Sequence, residues 1–88
     1  MKELLEKFIK ENKLDMDECG SALNSTCCII AGYALHIGIT ELEELINIFV
    51  DTSSINFNEE LTRVFLFAKK NNYGKWWESE EAIKQYIF

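Results

Sequence analysis

The chain has 88 residues, of which 48% are hydrophobic and 27% charged, and its formal net charge at pH 7 is -6. Since domains usually comprise about 100 to 150 residues, we expect residues 1–88 to form a single domain. A pocket of about 300 Å³, the lower limit for most small-molecule sites, would remove a large share of so small a core. The negative charge also argues against binding to a bare phosphate backbone.

Cysteine usage and the N-terminal pattern predict the compartment. The chain has three cysteines, Cys19, Cys27 and Cys28. Adjacent helical residues point about 100° apart, which disfavours a disulfide between Cys27 and Cys28. Met1 precedes an amphipathic pattern rather than a cleavable apolar run, and the uncharged stretch of about fifteen residues is shorter than the ~18 to 20 that span a bilayer. We therefore expect a cytoplasmic protein with reduced thiols and no membrane contact.

The first predicted element is an amphipathic helix over Lys2 to Lys13. Its opposite face is charged, and residues 15–20 are predicted to form a loop. Four apolar residues recur at the helical period on the predicted buried face: Leu4, Leu5, Phe8 and Ile9.

The central predicted element is the stretch from Ser25 to Ile39, STCCIIAGYALHIGI, which contains no charged residue. A helix that is apolar on all sides must be enclosed by other helices. The pattern leaves open which of Ser21, Asn24 and Ser25 caps this helix. Gly38 is predicted to end it in a left-handed turn, which only glycine adopts without steric cost.

Three further helices are predicted. Thr40 and Glu43 match a capping box that opens a third helix through Val50, and residues 51–58 form a polar loop with a short extended stretch at most. Asn58 is predicted to cap a fourth helix to about Lys70, and Ser79 a short fifth one. The expected buried residues of these helices are Leu42, Leu45, Ile46 and Phe49; Leu61, Val64, Phe65 and Ala68, with Leu66 and Phe67 undecided; and Ala82, Ile83, Tyr86 and Ile87.

These elements predict an all-α fold, a compact bundle or orthogonal array of four to five helices around the buried central helix. Acidic clusters follow each predicted cap at residues 41–44, 59–60 and 80–81, where the helix dipole favours negative charge. We therefore interpret the charge pattern mainly as helix-end electrostatics rather than as a recognition surface.

No catalytic or metal-binding constellation is predicted. The single histidine, His36, would lie roughly 12 to 13 Å along the same helix from Cys27 and Cys28, beyond hydrogen-bond reach of either thiol. The cysteines and the histidine also lack the two-to-four-residue spacing typical of zinc ligands. The paired carboxylates belong to solvated first turns instead of facing each other across a cleft. We predict no enzymatic activity, no cofactor and no metal.

An aromatic cluster near the C-terminus is the predicted site. Two adjacent tryptophans on a short helix cannot face the same way, and Trp and Tyr are the residues that most often anchor protein interfaces. The alternative, which is the commoner case, is a structural role in which both tryptophans lie across the end of the helix bundle and cover its core. Nucleic-acid stacking is less favoured because few cations lie nearby and glutamates flank the cluster. The candidate protein-binding residues are Tyr73, Lys75, Trp76, Trp77 and Phe88.

The sequence thus predicts a small acidic protein-binding module with another protein as its partner. Its composition suits an inhibitor or accessory protein, of the kind that bacteria, their viruses and mobile elements use to block a basic, often nucleic-acid-binding, target. One alternative is a homodimeric structural or interaction protein joined through its apolar C-terminal segment. A nucleic-acid-binding domain is a weaker alternative.

Overall fold

The computed structural model describes residues 1–49, 55–71 and 79–84, and within these ranges the chain is all-α. The Cα radius of gyration is 11.6 Å, close to the roughly 12 Å expected for a globular chain of this length. The predicted all-α fold is confirmed. The described helices are α1 (Lys2–Glu11), α2 (Gly20–His36), α3 (Leu42–Ile48), α4 (Ile55–Asn71) and α5 (Glu80–Lys84).

Helix α2 lies at the centre of the fold. It packs most extensively against α4 and also contacts α1 and α5. Ala31, Gly32 and Ala34 are buried within about one turn of this helix, and their small size allows a neighbouring backbone to approach closely. The prediction of an enclosed central helix is therefore confirmed.

The start of α2 comes before every candidate cap. The helix begins at Gly20, which was predicted to lie in a loop, and its N-cap is Cys19, whose backbone is extended (φ -133°, ψ 167°) and whose side chain makes no capping hydrogen bond. None of Ser21, Asn24 and Ser25 is the cap, because all three lie inside the helix. Gly20 has φ +61°, a conformation that glycine adopts without a Cβ clash.

The end of α2 agrees with the prediction for Gly38. The helix ends at His36, and Gly38 has φ +100°. The Gly38 amide donates to the Leu35 carbonyl (3.2 Å) and the Ile39 amide donates to the Ala34 carbonyl (2.9 Å). These two bonds define a Schellman motif, which satisfies carbonyls that the helix end would leave unpaired.

Helix α1 packs against α2. Leu5, Phe8 and Ile9 are buried as predicted, but Leu4 is 50% exposed, so its predicted burial was wrong. The Phe8 ring stacks on the Tyr33 ring of α2 with a centroid distance of 3.9 Å. This ring pair fixes the position of α1 against the central helix.

Helix α3 begins without the predicted capping box. Its N-cap is Glu41, which makes no side-chain capping bond, so the assignment of Thr40 and Glu43 was wrong. The Thr40 carbonyl instead accepts a hydrogen bond from Lys69 Nζ of α4. Leu45 is fully buried, whereas Leu42 and Ile46 are only partly buried.

Helix α4 begins at Ile55, three residues before the predicted cap Asn58. Phe57 is fully buried, and its ring meets the Phe49 ring edge-on at a centroid distance of 5.2 Å. Because Phe57 lies four residues before Leu61, it extends the buried face of the helix by one turn. The predicted inward residues are confirmed: Leu61, Val64, Phe65 and Ala68 are all buried.

Helix α5 has the predicted cap, since Ser79 Oγ accepts a hydrogen bond from the Ala82 amide at 3.1 Å. Ile83 is fully buried, as predicted. Tyr86 and Ile87 lie outside the described residues, as does Val50, the predicted end of the third helix. Within the described ranges, no helix is both long enough and apolar enough to cross a bilayer.

Candidate functional site

The predicted aromatic site lies outside the described residues, which do not include residues 72–78 and 85–88. Its role in binding stays a prediction. The residues concerned are Tyr73, Lys75, Trp76, Trp77 and Phe88.

A polar cluster joins α2 to α4 at the edge of the core. Asn24 Nδ2 donates to Glu60 Oε2 (2.7 Å), and Arg63 donates to both oxygens of the same carboxylate through Nε (3.0 Å) and Nη2 (2.7 Å). The hydrogen bonds from Arg63 and then from Asn24 lower the pKa of Glu60. The cluster thus holds a charged carboxylate between the two central helices. The prediction that Glu60 lies in the first turn of a helix is wrong, because α4 begins five residues earlier, at Ile55.

The adjacent cysteines lie beside this cluster. Cys27 is fully buried, and its Sγ lies 4.0 Å from the Phe57 carbonyl oxygen, whereas half-buried Cys28 has its Sγ 3.8 Å from Asn24 Oδ1. Burial and then the nearby Glu60 carboxylate raise the pKa of the Cys27 thiol to about 12, and the same causes raise the pKa of Cys28. Both thiols are therefore protonated at neutral pH, the form that is a poor nucleophile.

The outward face of α4 carries the most exposed apolar side chain among the large hydrophobic residues that the structure describes. Ile55 is 76% exposed, Phe67 is 52% exposed and Leu66 is 48% exposed. Ile55, Glu59, Arg63 and Phe67 are spaced four residues apart, so they form one ridge along the helix surface. We call these four residues the α4 ridge. The ridge places a glutamate and an arginine between two exposed apolar side chains.

Sequence reasoning missed the α4 ridge because it placed Ile55 in a loop. The signal that could have found it was the four-residue repeat running through Glu59 and Arg63, which continues beyond the predicted cap at Asn58. That repeat parallels the buried one through Phe57 and Leu61. Two repeats with the same period on one helix define its two faces.

Among the described residues, two open clefts are lined by side chains outside α4. One, of about 370 Å³, lies between the α1–α2 connection and the start of α2, and is lined by Lys13, Asp15 and Ser25 among others. The other, of about 450 Å³, lies between α1 and the end of α3, with Lys2, Lys10 and Ile48 in its lining. Over the described ranges, His, Cys, Asp and Glu side chains do not gather in groups of three or more that could hold a metal ion.

No protein-family profile, curated protein or solved structure matches this chain.

Proposed function

We propose that this protein is an acidic protein-binding module that attaches to a basic surface of another protein. The observation that carries the proposal is the position of the acidic residues. Of the acidic side chains whose burial the structure describes, Glu60 is half-buried and every other one is exposed. The exposed acidic residues are Glu3, Glu6, Glu11, Asp15, Asp17, Glu18, Glu41, Glu43, Glu44, Glu59 and Glu81.

Two short segments concentrate this charge. Asp15, Asp17 and Glu18 lie in the connection between α1 and α2, outside the first turn of either helix, and a second group lies at 41–44, around the start of α3. The helix dipole accounts for the second group, so the proposal depends mainly on the first. The connection contains an Asx turn, in which the Asp17 amide donates to Asp15 Oδ1 at 2.8 Å. A fixed group of like charges raises the rate at which an oppositely charged partner associates.

The positive side chains are too few to offset this surface, because 9 lysines and arginines stand against 15 acidic residues. One of the nine, Arg63, pairs with the Glu60 carboxylate within the protein. The net charge of -6 favours the approach of a basic partner. Proteins that bind nucleic acid present such a basic surface. We propose that the module inhibits or assists a protein of this class by covering its basic surface.

The interior supports a role exercised from the surface. The core is filled by apolar side chains from all five helices, and the buried thiols are protonated at neutral pH. In the proposal, acidic side chains steer the encounter and the aromatic residues near 73–77 anchor it. Replacement of Trp76 or Trp77 by Ala is then expected to abolish capture of the partner without loss of helical circular dichroism.

The test is cross-linking of the full chain to its partner in cells of its own host, followed by mass spectrometry. We expect the captured protein to be basic and its affinity for the purified module to fall steeply with added salt. The variant Asp15→Asn/Asp17→Asn/Glu18→Gln is expected to weaken binding by about tenfold or more, since it removes three charges and Asn can still form the turn at position 15.

The matched control is Lys2→Gln/Lys7→Gln/Lys10→Gln, which removes three positive charges from α1. This variant is expected to bind at least as tightly as the wild type. Equal binding by the acidic variant, the lysine variant and the wild type would contradict the proposal, as would a captured partner whose surface is acidic.

A further inference from the structure

The α4 ridge has a charge order that complements itself. In chain order its residues are apolar, acidic, basic and aromatic: Ile55, Glu59, Arg63 and Phe67. When a second copy runs antiparallel, Ile55 faces Phe67 of that copy, and Glu59 faces its Arg63. Each contact then occurs twice about a two-fold axis that passes between Glu59 and Arg63. We propose that α4 of one protein molecule docks antiparallel on α4 of a second copy of this chain.

The geometry of helix packing accommodates this arrangement. Ridges made of side chains four residues apart are inclined to the helix axis, and two such ridges run parallel when the helices cross at about -50°. That crossing is the commonest one between helices in globular proteins. From Ile55 to Phe67 the ridge is about 18 Å long, because the helix rises about 1.5 Å per residue. The two ridges then lie side by side and are closest at their centre, where Glu59 and Arg63 of the two copies meet, and Ile55 and Phe67 lie at the two ends of the contact.

All four side chains of the ridge are exposed. Ile55 is 76% exposed and Phe67 is 52% exposed. The Arg63 side chain is 64% exposed although it binds Glu60, and that contact uses its Nε and Nη2 groups. A guanidinium has five N–H donors, so Arg63 can also donate to a carboxylate of the second copy. The ion pairs of the described residues do not include Glu59.

The size of the surface sets the strength of the dimer. A helix of 17 residues is about 25 Å long and about 10 Å wide, which gives less area than the roughly 800 Å² per partner of a standard interface. Contacts through α4 alone therefore give a weak dimer, which forms at high protein concentration and dissociates on dilution. This surface differs from the C-terminal segment that the sequence analysis considered for a homodimer, and the inference does not depend on the proposed basic partner.

The first test is sedimentation of the full chain over protein concentrations from about 10 μM to about 1 mM. We expect the average mass to rise from 10.2 kDa towards twice that value. Ile55→Lys and Glu59→Arg are expected to remain monomeric over the same range. The matched control is Leu4→Lys on α1, since Leu4 is also half-exposed but lies on another helix, and this variant is expected to dimerise like the wild type.

The second test uses the charge order directly. Glu59→Arg alone places two arginines opposite each other at both contacts, and Arg63→Glu alone places two glutamates there. A mixture of the two variants restores an opposite pair at each contact, so we expect the mixture to dimerise although neither variant does. Circular dichroism of each variant separates a loss of docking from a loss of folding.

Three results would overturn the inference. They are a wild-type chain that stays monomeric at about 1 mM, a dimer that persists in both Ile55→Lys and Glu59→Arg, and folded charge variants whose mixture stays monomeric.

Discussion

At the residue scale, the end of α1 holds a lysine in a conformation that suits glycine. Lys13 has φ 53°, its amide donates to the Lys10 carbonyl (3.2 Å), and the Leu14 amide donates to the Ile9 carbonyl (3.0 Å). This is the same Schellman motif that ends α2 at Gly38. A side chain in this left-handed region costs roughly 1 to 2 kcal/mol, because Cβ approaches the following carbonyl oxygen.

We therefore predict that Lys13→Gly stabilises the protein by about 0.5 to 1 kcal/mol. The replacement removes the steric clash of Cβ, but part of this gain is offset because glycine has a greater conformational entropy in the unfolded chain. The control is Lys10→Gly, the same replacement inside α1, which is expected to cost about 1 kcal/mol. Urea unfolding followed by circular dichroism measures both. A loss of stability in Lys13→Gly as large as that in Lys10→Gly would show that the left-handed backbone carries no strain.

At the element scale, the sequence predicts which helices form better than where they begin. Gly38 and Ser79 act locally, through a backbone conformation and one hydrogen bond, and both were placed correctly. The start of α4 depends on tertiary packing, because burial of Phe57 against Phe49 extends the helix past Asn58. Asn24 likewise lies within α2, where its side chain reaches Glu60 of α4. No local pattern contains the partner across the core, so these two starts could not be predicted.

The contact between α2 and α4 predicts a pH dependence of stability. The pKa of Glu60 is lowered in the folded protein, so the folded state favours the ionised carboxylate more than the unfolded chain does. The contribution of Glu60 is therefore fully present above its unfolded pKa of about 4.3, and it is lost as the pH falls through the lower, folded pKa. We expect Glu60→Gln to cost about 1 kcal/mol at pH 7, because the pair with Arg63 is partly exposed.

The measurement is the free energy of unfolding of wild type and Glu60→Gln between about pH 7 and pH 3. The difference between the two should begin to shrink as the pH falls below the unfolded pKa of about 4.3, and it should disappear as the pH falls through the lower pKa of the folded protein. Glu59→Gln is the control, because Glu59 is the exposed neighbour on the same helix, and its difference should stay small throughout. A Glu60→Gln deficit that is the same at every pH would contradict an electrostatic origin.

At the scale of the whole molecule, the sequence predicts the interior well and the surface incompletely. A stretch without charge must be enclosed whatever its partners are, which is why the position of α2 was predictable. The α4 ridge depends on which side of a helix remains uncovered, and that is known only after the other helices have packed. Acidic residues can be counted in the sequence, but their exposure around Asp15–Glu18 and around the start of α3 follows from the fold.

The same charge predicts how the whole molecule responds to salt. A net charge of -6 on a chain of 88 residues destabilises the folded state, because folding brings negatively charged side chains closer together. Added salt screens this repulsion, since the Debye length falls to about 10 Å at 0.1 M. We therefore expect the unfolding temperature at pH 7 to rise by a few degrees between about 0.01 M and 0.2 M NaCl, equivalent to less than about 1 kcal/mol. Scanning calorimetry at low protein concentration, where any dimer is dissociated, measures this shift.

The control for the salt response is Asp15→Asn/Asp17→Asn/Glu18→Gln, which removes three of the negative charges and so changes the net charge from -6 to about half that value. Because less repulsion remains to be screened, its unfolding temperature should be higher than that of the wild type at low salt and should rise less when salt is added. An equal rise in both proteins would mean that salt acts through general solvation of apolar surface instead. A fall in the wild type would mean that attractive pairs such as Glu60 with Arg63 outweigh the repulsion, and the net charge would then not govern the stability of this fold.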